Sequence, residues 1–257
     1  MSDSEVARRA IGLVDLTDLG DHSVAADIDV LCGRAVGPFG STAAVCVWPR
    51  FVAQAAQRLD GSGVLVATVV NFPAGGDDVA EVVEETRAAI RAGADEIDLV
   101  LPYRSFLAGR TDVAAAMVDG VRAACAAPVR LKVILESGSY PDLDSIRNAA
   151  RLAIASGADF VKTSTGKTAV SATISASVMM LDAIRETVRA TGLDTGRVIG
   201  LKPSGGIRTV ADAARYLAVA DEMMGPAWAS PGTFRFGASG LLDALEAAIA
   251  ADTGATN

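Results

Sequence analysis

The stretch that decides the fold is DDVAEVVEETRAAIRAGADEIDLVLP, residues 77–102. Its first part spaces apolar residues three and four positions apart, which predicts an amphipathic helix with Asp77 or Asp78 as N-cap and Gly93 as stop signal. Its second part, EIDLVLP, is a short apolar run of the length of a buried β-strand. A helix and a strand within about 30 residues form the repeating unit of a parallel α/β fold.

The same unit recurs along the whole chain. Short apolar runs predict eight strands, which begin near residues 13, 42, 64, 96, 130, 160, 198 and 233. Further helical patterns cover residues 23–36, 112–126, 143–156, 174–190, 209–219 and 240–250. Eight such units in 257 residues predict an α/β protein with a single (β/α)8 TIM-barrel domain, whose active site lies at the carboxyl ends of the strands. We expect residues 1–10 to form an N-terminal extension and residues 251–257 a flexible tail.

The alternative arrangement of these units is a doubly wound open sheet. Such a sheet normally carries a GxGxxG fingerprint directly after its first strand. The first predicted strand lies in LVDLTDLGD, which begins at residue 13 and contains no such motif. The barrel is therefore the favoured fold.

Composition argues against several classes of function. The formal net charge is −8 and the isoelectric point is about 4.7, without any Lys/Arg-rich run, so we expect no nucleic-acid partner. Cys32, Cys46 and Cys125 are far apart and form no CxxC pair, which argues against a disulfide framework or a zinc site. The N-terminus MSDSEVARRAIG does not resemble a signal peptide, and no run of about 18 apolar residues is present. We expect a cytoplasmic protein without a membrane partner.

Lysine is scarce and lies in apolar segments. The chain has four lysines against nineteen arginines, and all four are in or beside predicted strands, where an ionised side chain is costly unless it is paired. Side chains alternate across a strand. The strand patterns therefore place one set of ionisable residues on the barrel axis: Glu96, Asp98, Lys132, Glu136, Lys162 and Lys202. A self-compensating network of ion pairs is one interpretation of this set, and an active site is the other.

These residue types favour lysine chemistry. The only histidine, His22, lies in the polar segment DLGDHSVAA, where we expect a solvated loop or helix-start residue, so a catalytic triad is not indicated. A lysine amine attacks a carbonyl only when it is neutral, although its reference pKa is about 10.4. Burial or a nearby cation lowers that pKa. Lys162 is thus a candidate nucleophile, and Lys202, one strand further round the barrel, is a candidate for the neighbouring cation.

Glycine-bearing loops after the last strands indicate a phosphate site. KPSGGIRT and RFGASG follow the seventh and eighth predicted strands, where barrels often bind phosphate. Gly205 and Gly206 would let backbone N–H groups approach an anion, and Ser239 would lie at the N-terminus of the last helix. STGK, after the sixth strand, adds Lys167 as a cation. Each motif is also compatible with an ordinary loop, but together they suggest a phosphorylated carbonyl substrate.

The chain resembles a known enzyme family. FVKTSTGK, GLKPSGGIRT, LKVILESG and RFGAS are similar to the signature motifs of deoxyribose-phosphate aldolases. LVDLTDL, STAAVCVWPRF, VVNFPAGG and DEIDLVLPYR extend the similarity, in order, over nearly the whole chain. The resemblance implies a class I aldolase on a (β/α)8 barrel that uses no metal and no other cofactor. It also implies reversible cleavage of 2-deoxy-D-ribose 5-phosphate to acetaldehyde and D-glyceraldehyde 3-phosphate, in the catabolism of deoxyribonucleotides.

The resemblance also implies roles for individual residues. Lys162 matches the lysine that forms the Schiff base, Lys202 the lysine that lowers its pKa, and Asp98 the acid/base residue that works with a bound water. Residues at the substrate end of the pocket are matched by Asp15, Thr17 and Cys46, while Lys132 and Glu136 belong to the same inner polar network. The phosphate site is matched by Gly166, Lys167, Gly205, Gly206, Arg208, Gly237 and Ser239.

Two positions depart from the family pattern. Many members carry a second serine after the one that matches Ser239, whereas this chain has Gly240. Some members end in a flexible tail with a tyrosine that reaches the site, whereas this chain ends in ADTGATN. We therefore expect an effect on phosphate affinity, and the part of the tail in proton transfer stays open.

Two other functions stay open at the level of sequence. An enzyme that uses pyridoxal phosphate would also need an imine-forming lysine and a phosphate cradle. A barrel could instead bind sugar phosphates without turnover, although the joint presence of Lys162, Lys202 and Asp98 argues against pure binding. As partners we expect a sugar phosphate and aldehydes. Family members are often dimers or larger, which makes a homodimer or a larger homo-oligomer the expectation for this chain.

Overall fold

The computed structural model describes residues 1–191 and 198–254. Within them, eight parallel strands form one sheet, and each strand lies in one of the eight predicted segments. The strands are β1 (Val14–Asp18), β2 (Ala44–Val47), β3 (Leu65–Val70), β4 (Glu96–Val100), β5 (Arg130–Ile134), β6 (Phe160–Lys162), β7 (Gly200–Lys202) and β8 (Phe236–Ala238). The eight predicted barrel strands and their order are confirmed. A separate two-stranded antiparallel sheet, Val36–Gly37 with Gly40–Ser41, was not predicted.

The sheet closes into a barrel. Neighbouring strands pair in parallel in the order β8-β1-β2-β3-β4-β5-β6-β7. Two parallel bridges, Leu201 to Phe234 and Ser204 to Gly237, then join β7 to the β8 segment. The Leu201 N–H also donates to the Thr233 carbonyl at 2.8 Å. A doubly wound sheet would leave two open edges, so the predicted (β/α)8 barrel is the observed fold.

Helices surround the barrel in the described part of the chain. They are α1 (Asp3–Ile11), α2 (Ala25–Ala35), α3 (Val52–Leu59), α4 (Val79–Arg91), α5 (Tyr103–Leu107), α6 (Thr111–Ala124), α7 (Leu143–Ala155), α8 (Ile174–Thr191), α9 (Val210–Met224) and α10 (Leu241–Gly254). At α4 both predicted end signals are observed. The Asp78 carboxylate accepts a hydrogen bond from the Glu81 N–H at 3.0 Å, and Gly93 adopts φ 106° just after the helix.

The expected N-terminal extension is helix α1, which belongs to the outer layer of the barrel. Ser2 and Glu5 form a capping box at its start, in which the Ser2 hydroxyl accepts from the Glu5 N–H at 3.3 Å. The helix packs against α9 and α10, and the Arg9 guanidinium donates to both carboxylate oxygens of Asp221. The first residues of the chain are therefore held by packing and by an ion pair.

Helices α3 and α5 have eight and five residues, and no sequence pattern predicts them because apolar periodicity needs a longer window. At the other end of the chain, residues 251–254 of the expected tail continue α10, while residues 255–257 lie outside the described residues. None of the described helices combines the length and the apolar composition that a membrane crossing requires.

The two faces of β4 show how side-chain alternation divides the barrel. Ile97, Leu99 and, just past the strand, Leu101 are fully buried in the apolar core that the strands share with the helices. Glu96 and Asp98, between them, are also fully buried, but their partners are ammonium groups inside the barrel. The helix-facing layer is thus stabilised by removal of apolar surface from water, whereas the interior is lined by charges.

Candidate active site

Asp98 lies at the centre of the charged interior. Its two carboxylate oxygens accept hydrogen bonds from three ammonium groups, those of Lys132 at 2.9 Å, Lys162 at 2.7 Å and Lys202 at 2.8 Å. The four side chains come from β4, β5, β6 and β7, four consecutive strands of the sheet. All four are almost completely buried. The structure therefore brings the predicted catalytic residues Lys162 and Lys202 within hydrogen-bonding distance of the third, Asp98.

A further set of charges lies around this centre. Asp15 on β1 pairs with the Lys202 ammonium at 2.5 Å, and Glu96 on β4 pairs with the Lys132 ammonium at 2.6 Å. Arg235, the residue before β8, holds both carboxylates, because its guanidinium donates to Asp15 at 2.5 Å and to Glu96 at 2.9 Å. We call the seven residues the buried cluster: Asp15, Glu96, Asp98, Lys132, Lys162, Lys202 and Arg235.

The surroundings shift the pKa values of the three lysines of the buried cluster in different directions. Burial, together with the ammonium of Lys202, lowers the pKa of Lys162 against the opposing effect of Asp98. At Lys202 burial also disfavours the charge, but Asp15 and Asp98 outweigh it and raise the pKa. The pKa of Lys132 is raised in the same way, by Asp98 and Glu96 against burial. Lys162 is therefore the lysine of the cluster that gives up its proton most readily.

The carboxylate at the centre stays ionised. Burial alone would raise the pKa of Asp98, but the ammonium groups of Lys132, Lys162 and Lys202 outweigh burial and hold this pKa well below its usual range. Asp98 is thus an ionised hydrogen-bond acceptor for the three lysines in the resting protein. A lysine with a lowered pKa, a protonated lysine and a carboxylate within one hydrogen-bonding group are the components that imine chemistry requires.

A cavity of about 550 Å³ opens at the carboxyl ends of β1, β6, β7 and β8. It is lined by Thr17 and by all of the residues predicted for the phosphate site: Gly166, Lys167, Gly205, Gly206, Arg208, Gly237 and Ser239. We call this space the glycine-lined cavity. Three separate loops converge here, as the sequence motifs predict.

Gly237 connects the glycine-lined cavity to the buried cluster. A Cβ at this position would lie 2.5 Å from the Ser204 hydroxyl oxygen and 3.0 Å from the Lys202 Cε, so only glycine allows this approach. Gly205 and Gly206 adopt φ 89° and 82°, a backbone region that L-residues with a side chain rarely occupy. The backbone of these loops is thereby exposed to the cavity, where its N–H groups can meet an anion.

Lys167 supplies a cation at the rim of the cavity. Its ammonium donates to the Leu19 carbonyl at 2.9 Å and to the Asp21 carboxylate at 2.9 Å, and it lies 5.9 Å from the centre of the Trp48 ring. The Lys167 side chain is 32% exposed, in contrast to the lysines of the buried cluster. It can therefore exchange Asp21 for an incoming anion.

Of the five residues predicted for substrate binding, Thr17 lines the cavity and four do not: Asp15, Cys46, Lys132 and Glu136. Asp15 is in the buried cluster, and Cys46 on β2 is fully buried beside it, where burial raises the pKa of the thiol. Glu136 does not share a network with Lys132, because its carboxylate accepts hydrogen bonds from the Thr165 and Thr168 hydroxyls instead.

The physical reason for the position of Glu136 is its backbone. Glu136 adopts φ 58°, and β5 has already ended at Ile134, so the alternation of faces that the sequence argument uses no longer applies. His22 lies in an exposed turn before α2, as expected. Among the residues that the structure describes, no group of three His, Cys, Asp or Glu side chains could hold a metal ion.

Arg235 is the functional candidate that sequence reasoning missed. It lies between Phe234 and Phe236, which are both fully buried in the helix-facing core, so alternation directs Arg235 inward. The signal was present in TFRFGAS, from residue 233, as a lone cation within an apolar strand. It was overlooked because only the four scarce lysines were treated as informative, whereas the nineteen arginines were taken to be surface residues.

The chain is similar to known proteins over most of its length. Residues 9–247 match the model of a family described as DeoC/LacD family aldolase. The deoxyribose-phosphate aldolase of Agrobacterium fabrum (strain C58 / ATCC 33970) is 55% identical over 240 residues, which are 93% of this chain and 90% of that relative.

Solved structures share the fold. A crystal structure from Toxoplasma gondii ME49, provisionally assigned as a deoxyribose-phosphate aldolase, has a TM-score of 0.86 at 27% identity and covers 96% of this chain and 95% of its own. The tetrameric deoxyribose phosphate aldolase of Aeropyrum pernix has a TM-score of 0.73 at 24% identity, covers 96% and 92%, and adds support for the fold alone. Taken with the family match over residues 9–247 and the A. fabrum relative, the site leads to one conclusion: the chain belongs to the DeoC/LacD family of aldolases.

Proposed function

We propose that this chain is a class I deoxyribose-phosphate aldolase. It would reversibly cleave 2-deoxy-D-ribose 5-phosphate to acetaldehyde and D-glyceraldehyde 3-phosphate, in the catabolism of deoxyribonucleotides. The observation that carries the proposal is Lys162, a buried lysine whose pKa is lowered, hydrogen-bonded to Asp98 and next to a cavity with anion-binding loops. The A. fabrum relative, 55% identical, is itself a deoxyribose-phosphate aldolase, which supports the choice of substrate.

In this proposal Lys162 is the nucleophile. Its neutral amine attacks the C1 aldehyde of the open-chain sugar phosphate and forms a carbinolamine, which loses water to give the imine. Cleavage of the C2–C3 bond follows when a base removes the proton of the C3 hydroxyl, because the electron pair of that bond moves into the iminium group. D-glyceraldehyde 3-phosphate leaves, and the enamine that remains is protonated at C2 and hydrolysed to acetaldehyde and free Lys162.

Asp98 and Lys202 would handle the protons and charges. Asp98 is ionised and lies 2.7 Å from the Lys162 ammonium, so it can act as acid and base, with a water molecule, during carbinolamine and imine formation. Lys202 stays protonated, and its positive charge disfavours a second charge on Lys162. Lys132, on the other oxygen of Asp98, would hold the carboxylate in place.

The glycine-lined cavity would hold the phosphate. The loops at Gly166 and Gly206 and the N-terminus of α10 at Ser239 would offer backbone N–H groups to an anion. Gly205 and Gly237 would shape the cavity, since their N–H groups donate to the carbonyls of Gly237 and Pro203. The cations of Lys167 and Arg208 add charge at the rim. Thr17, also on this wall, would contact the sugar between the phosphate and the reactive carbon.

We propose a cytoplasmic homo-oligomer. The A. pernix aldolase is tetrameric, which supports assembly of more than one copy. The three cysteines Cys32, Cys46 and Cys125 are free and buried, which suits a reducing compartment. Light scattering on the eluted protein tests the assembly, and a mass equal to that of one chain would contradict it.

The imine itself is the direct test of the function. The protein is incubated with 2-deoxyribose 5-phosphate or acetaldehyde, reduced with borohydride and mapped by peptide mass spectrometry. We expect a substrate-dependent adduct on Lys162, retained in Lys167→Ala and absent from Lys162→Ala. No adduct in a folded protein that still binds inorganic phosphate would favour a barrel that binds without turnover. A visible absorption band in the purified protein would favour a pyridoxal phosphate enzyme instead.

A further inference from the structure

The buried cluster contains more cations than carboxylates. Among the residues that the structure describes, its anions are three (Asp15, Glu96 and Asp98) and its cations are four (Lys132, Lys162, Lys202 and Arg235). The side chains are at most 3% exposed, so water does not compensate an excess charge. Arginine does not give up its proton in proteins. One of the three lysines must therefore be neutral for the interior to be free of an uncompensated charge.

Arg235 is the fixed source of this excess. It is 1% exposed, and its guanidinium lies 5.7 Å from the centre of the Phe160 ring, which covers it on one side. Its two terminal NH2 groups bind Asp15 and Glu96, and its Nε donates to the Pro231 carbonyl at 2.6 Å. Arg235 therefore neutralises carboxylate charge that would otherwise be available to the ammonium groups.

Two routes of contact lead from Arg235 to Asp98. On one, Asp15 pairs with Lys202, which donates to Asp98 at 2.8 Å. On the other, Glu96 pairs with Lys132, which donates to Asp98 at 2.9 Å. Lys202 is shared between two carboxylates and Lys132 among three, Asp15 included at 3.5 Å, whereas the ion-pair partner of Lys162 is Asp98 alone among the described residues. Lys162 has the fewest carboxylate partners. It is therefore the lysine that loses its proton and so removes the excess positive charge.

We infer that Arg235 and Glu96 are positioning residues that set the protonation state of Lys162, Arg235 by adding a fixed cation and Glu96 by sharing a carboxylate between Arg235 and Lys132. The inference rests on the proposed function, in which Lys162 must be neutral to attack. Neither residue touches the reacting atoms in this account, since both act through Asp15, Lys132, Lys202 and Asp98.

Other groups around the cluster do not alter the count. On β3, Ala67 and Val69 lie beside Cys46, whose thiol stays protonated because burial raises its pKa. Glu136 bonds to threonine hydroxyls beyond the end of β5. The titratable groups inside the barrel that face Lys162 from the other strands are Asp15, Cys46, Glu96, Asp98, Lys132, Lys202 and Arg235.

Arg130 offers a matched control. It also pairs with Glu96, at 3.3 Å, but its side chain is 39% exposed. Water therefore screens its charge, and its loss has a smaller effect on the interior than the loss of Arg235. The comparison of Arg130→Met with Arg235→Met separates the buried charge from the mere contact with Glu96.

The pH dependence of kcat/KM for 2-deoxyribose 5-phosphate cleavage tests the inference, because its acidic limb reports the free enzyme. In Arg235→Met the interior has three cations and three carboxylates, so Lys162 keeps its proton and the limb moves up by about one pH unit or more. In Glu96→Gln the excess of cations over carboxylates grows, so the acidic limb moves to lower pH. The double variant restores an excess of one cation, and its limb returns toward the native position. Arg235→Lys keeps the charge and moves the limb less than Arg235→Met.

Circular dichroism and borohydride trapping at high pH verify that each variant is folded and competent. An acidic limb that stays in place in both folded Arg235→Met and Glu96→Gln would overturn the inference, as would equal shifts in Arg235→Met and Arg130→Met. If Arg235→Met does not fold, Glu96→Gln decides, and an unchanged or upward shift overturns the inference. Failure of the proposed function is a different result, since the wild-type protein itself would then show neither cleavage nor an adduct on Lys162.

Discussion

The buried cluster and the glycine-lined cavity are neighbours in one barrel, yet they are built in opposite ways. In the cluster, Asp98 is held by three ammonium groups and no side chain is open to water. The cavity is lined by glycine-rich loops and by a half-exposed lysine, Lys167, whose present partner is the exposed Asp21. The difference teaches that the cluster is a fixed electrostatic environment that its buried partners set in advance, whereas the proposed phosphate end would exchange the partner of Lys167 when a ligand binds.

The largest effect is expected at the nucleophile. Lys162→Ala removes the only group that can form the imine in this account, so we expect cleavage to fall by about 10⁴-fold or more. The fold should survive, because loss of Lys162 leaves three cations, Lys132, Lys202 and Arg235, with the three carboxylates of the buried cluster. Enzyme assay together with thermal unfolding measures both. Turnover close to that of the native protein would break the assignment of the cluster as the catalytic end.

The second-largest effect is expected at Lys202, where the charge of the side chain and its geometry can be tested separately. Lys202→Ala removes the cation that helps to lower the pKa of Lys162. That pKa then rises, the neutral fraction of Lys162 near pH 7 falls, and the acidic limb of kcat/KM moves to higher pH. We expect a loss of about 10²–10³-fold near neutral pH, with partial recovery as the pH rises.

The control for this variant is Lys202→Arg, which keeps the positive charge but changes the geometry. It should lower the rate without moving the acidic limb upward. A limb that stays in place in Lys202→Ala would contradict the electrostatic role, even if the rate were low.

The third effect tests the cavity by itself. Lys167→Met removes a rim cation and should raise KM for the phosphorylated substrate by about tenfold, with little change in kcat. Unphosphorylated deoxyribose provides the comparison, since its kcat/KM should not change. If both substrates lost activity equally, Lys167 would belong with the catalytic end, and the contrast between the two regions would fail.

The smallest effect is expected where the chain departs from its family. No atom lies within 4 Å of a Cβ built at Gly240, so Gly240→Ser fits without strain and places a hydroxyl at the start of α10. We expect KM for the phosphorylated substrate to fall by about two- to fivefold. Gly240→Ala is the control for the added carbon alone. An equal change in both variants would mean that the hydroxyl makes no contact with the phosphate.

The division of the chain into strands and helices was largely predictable because the signals for these elements are local in the sequence. Each strand is an apolar run, and α4 carries both of its end signals, Asp78 and Gly93, in the sequence. Helices α1, α3 and α5 were not predicted. The capping box of Ser2 and Glu5 marks the start of α1, but its place in the fold depends on packing against α9 and α10, which no local pattern contains.

The site was predictable wherever side chains alternate regularly between the two faces of a strand. It places Asp98, Lys132, Lys162 and Lys202 together because all four lie inside regular strands. It fails at Glu136, where a left-handed residue turns the chain away after β5. The role of Arg235 required the structure, because a count of charges needs to know which side chains share one buried space.

The most direct test of the central claim is the pKa of Lys162 in the resting protein. The chain has only four lysines, so ¹³C-lysine labelling gives a spectrum in which each signal can be assigned by single substitution. The account predicts one signal, lost in Lys162→Ala, that titrates below the usual lysine pKa of about 10.4. The signals of Lys132 and Lys202 should show that these two side chains stay protonated to higher pH. If Lys162 titrated at or above its usual value, the claim that the barrel interior keeps it neutral would be contradicted.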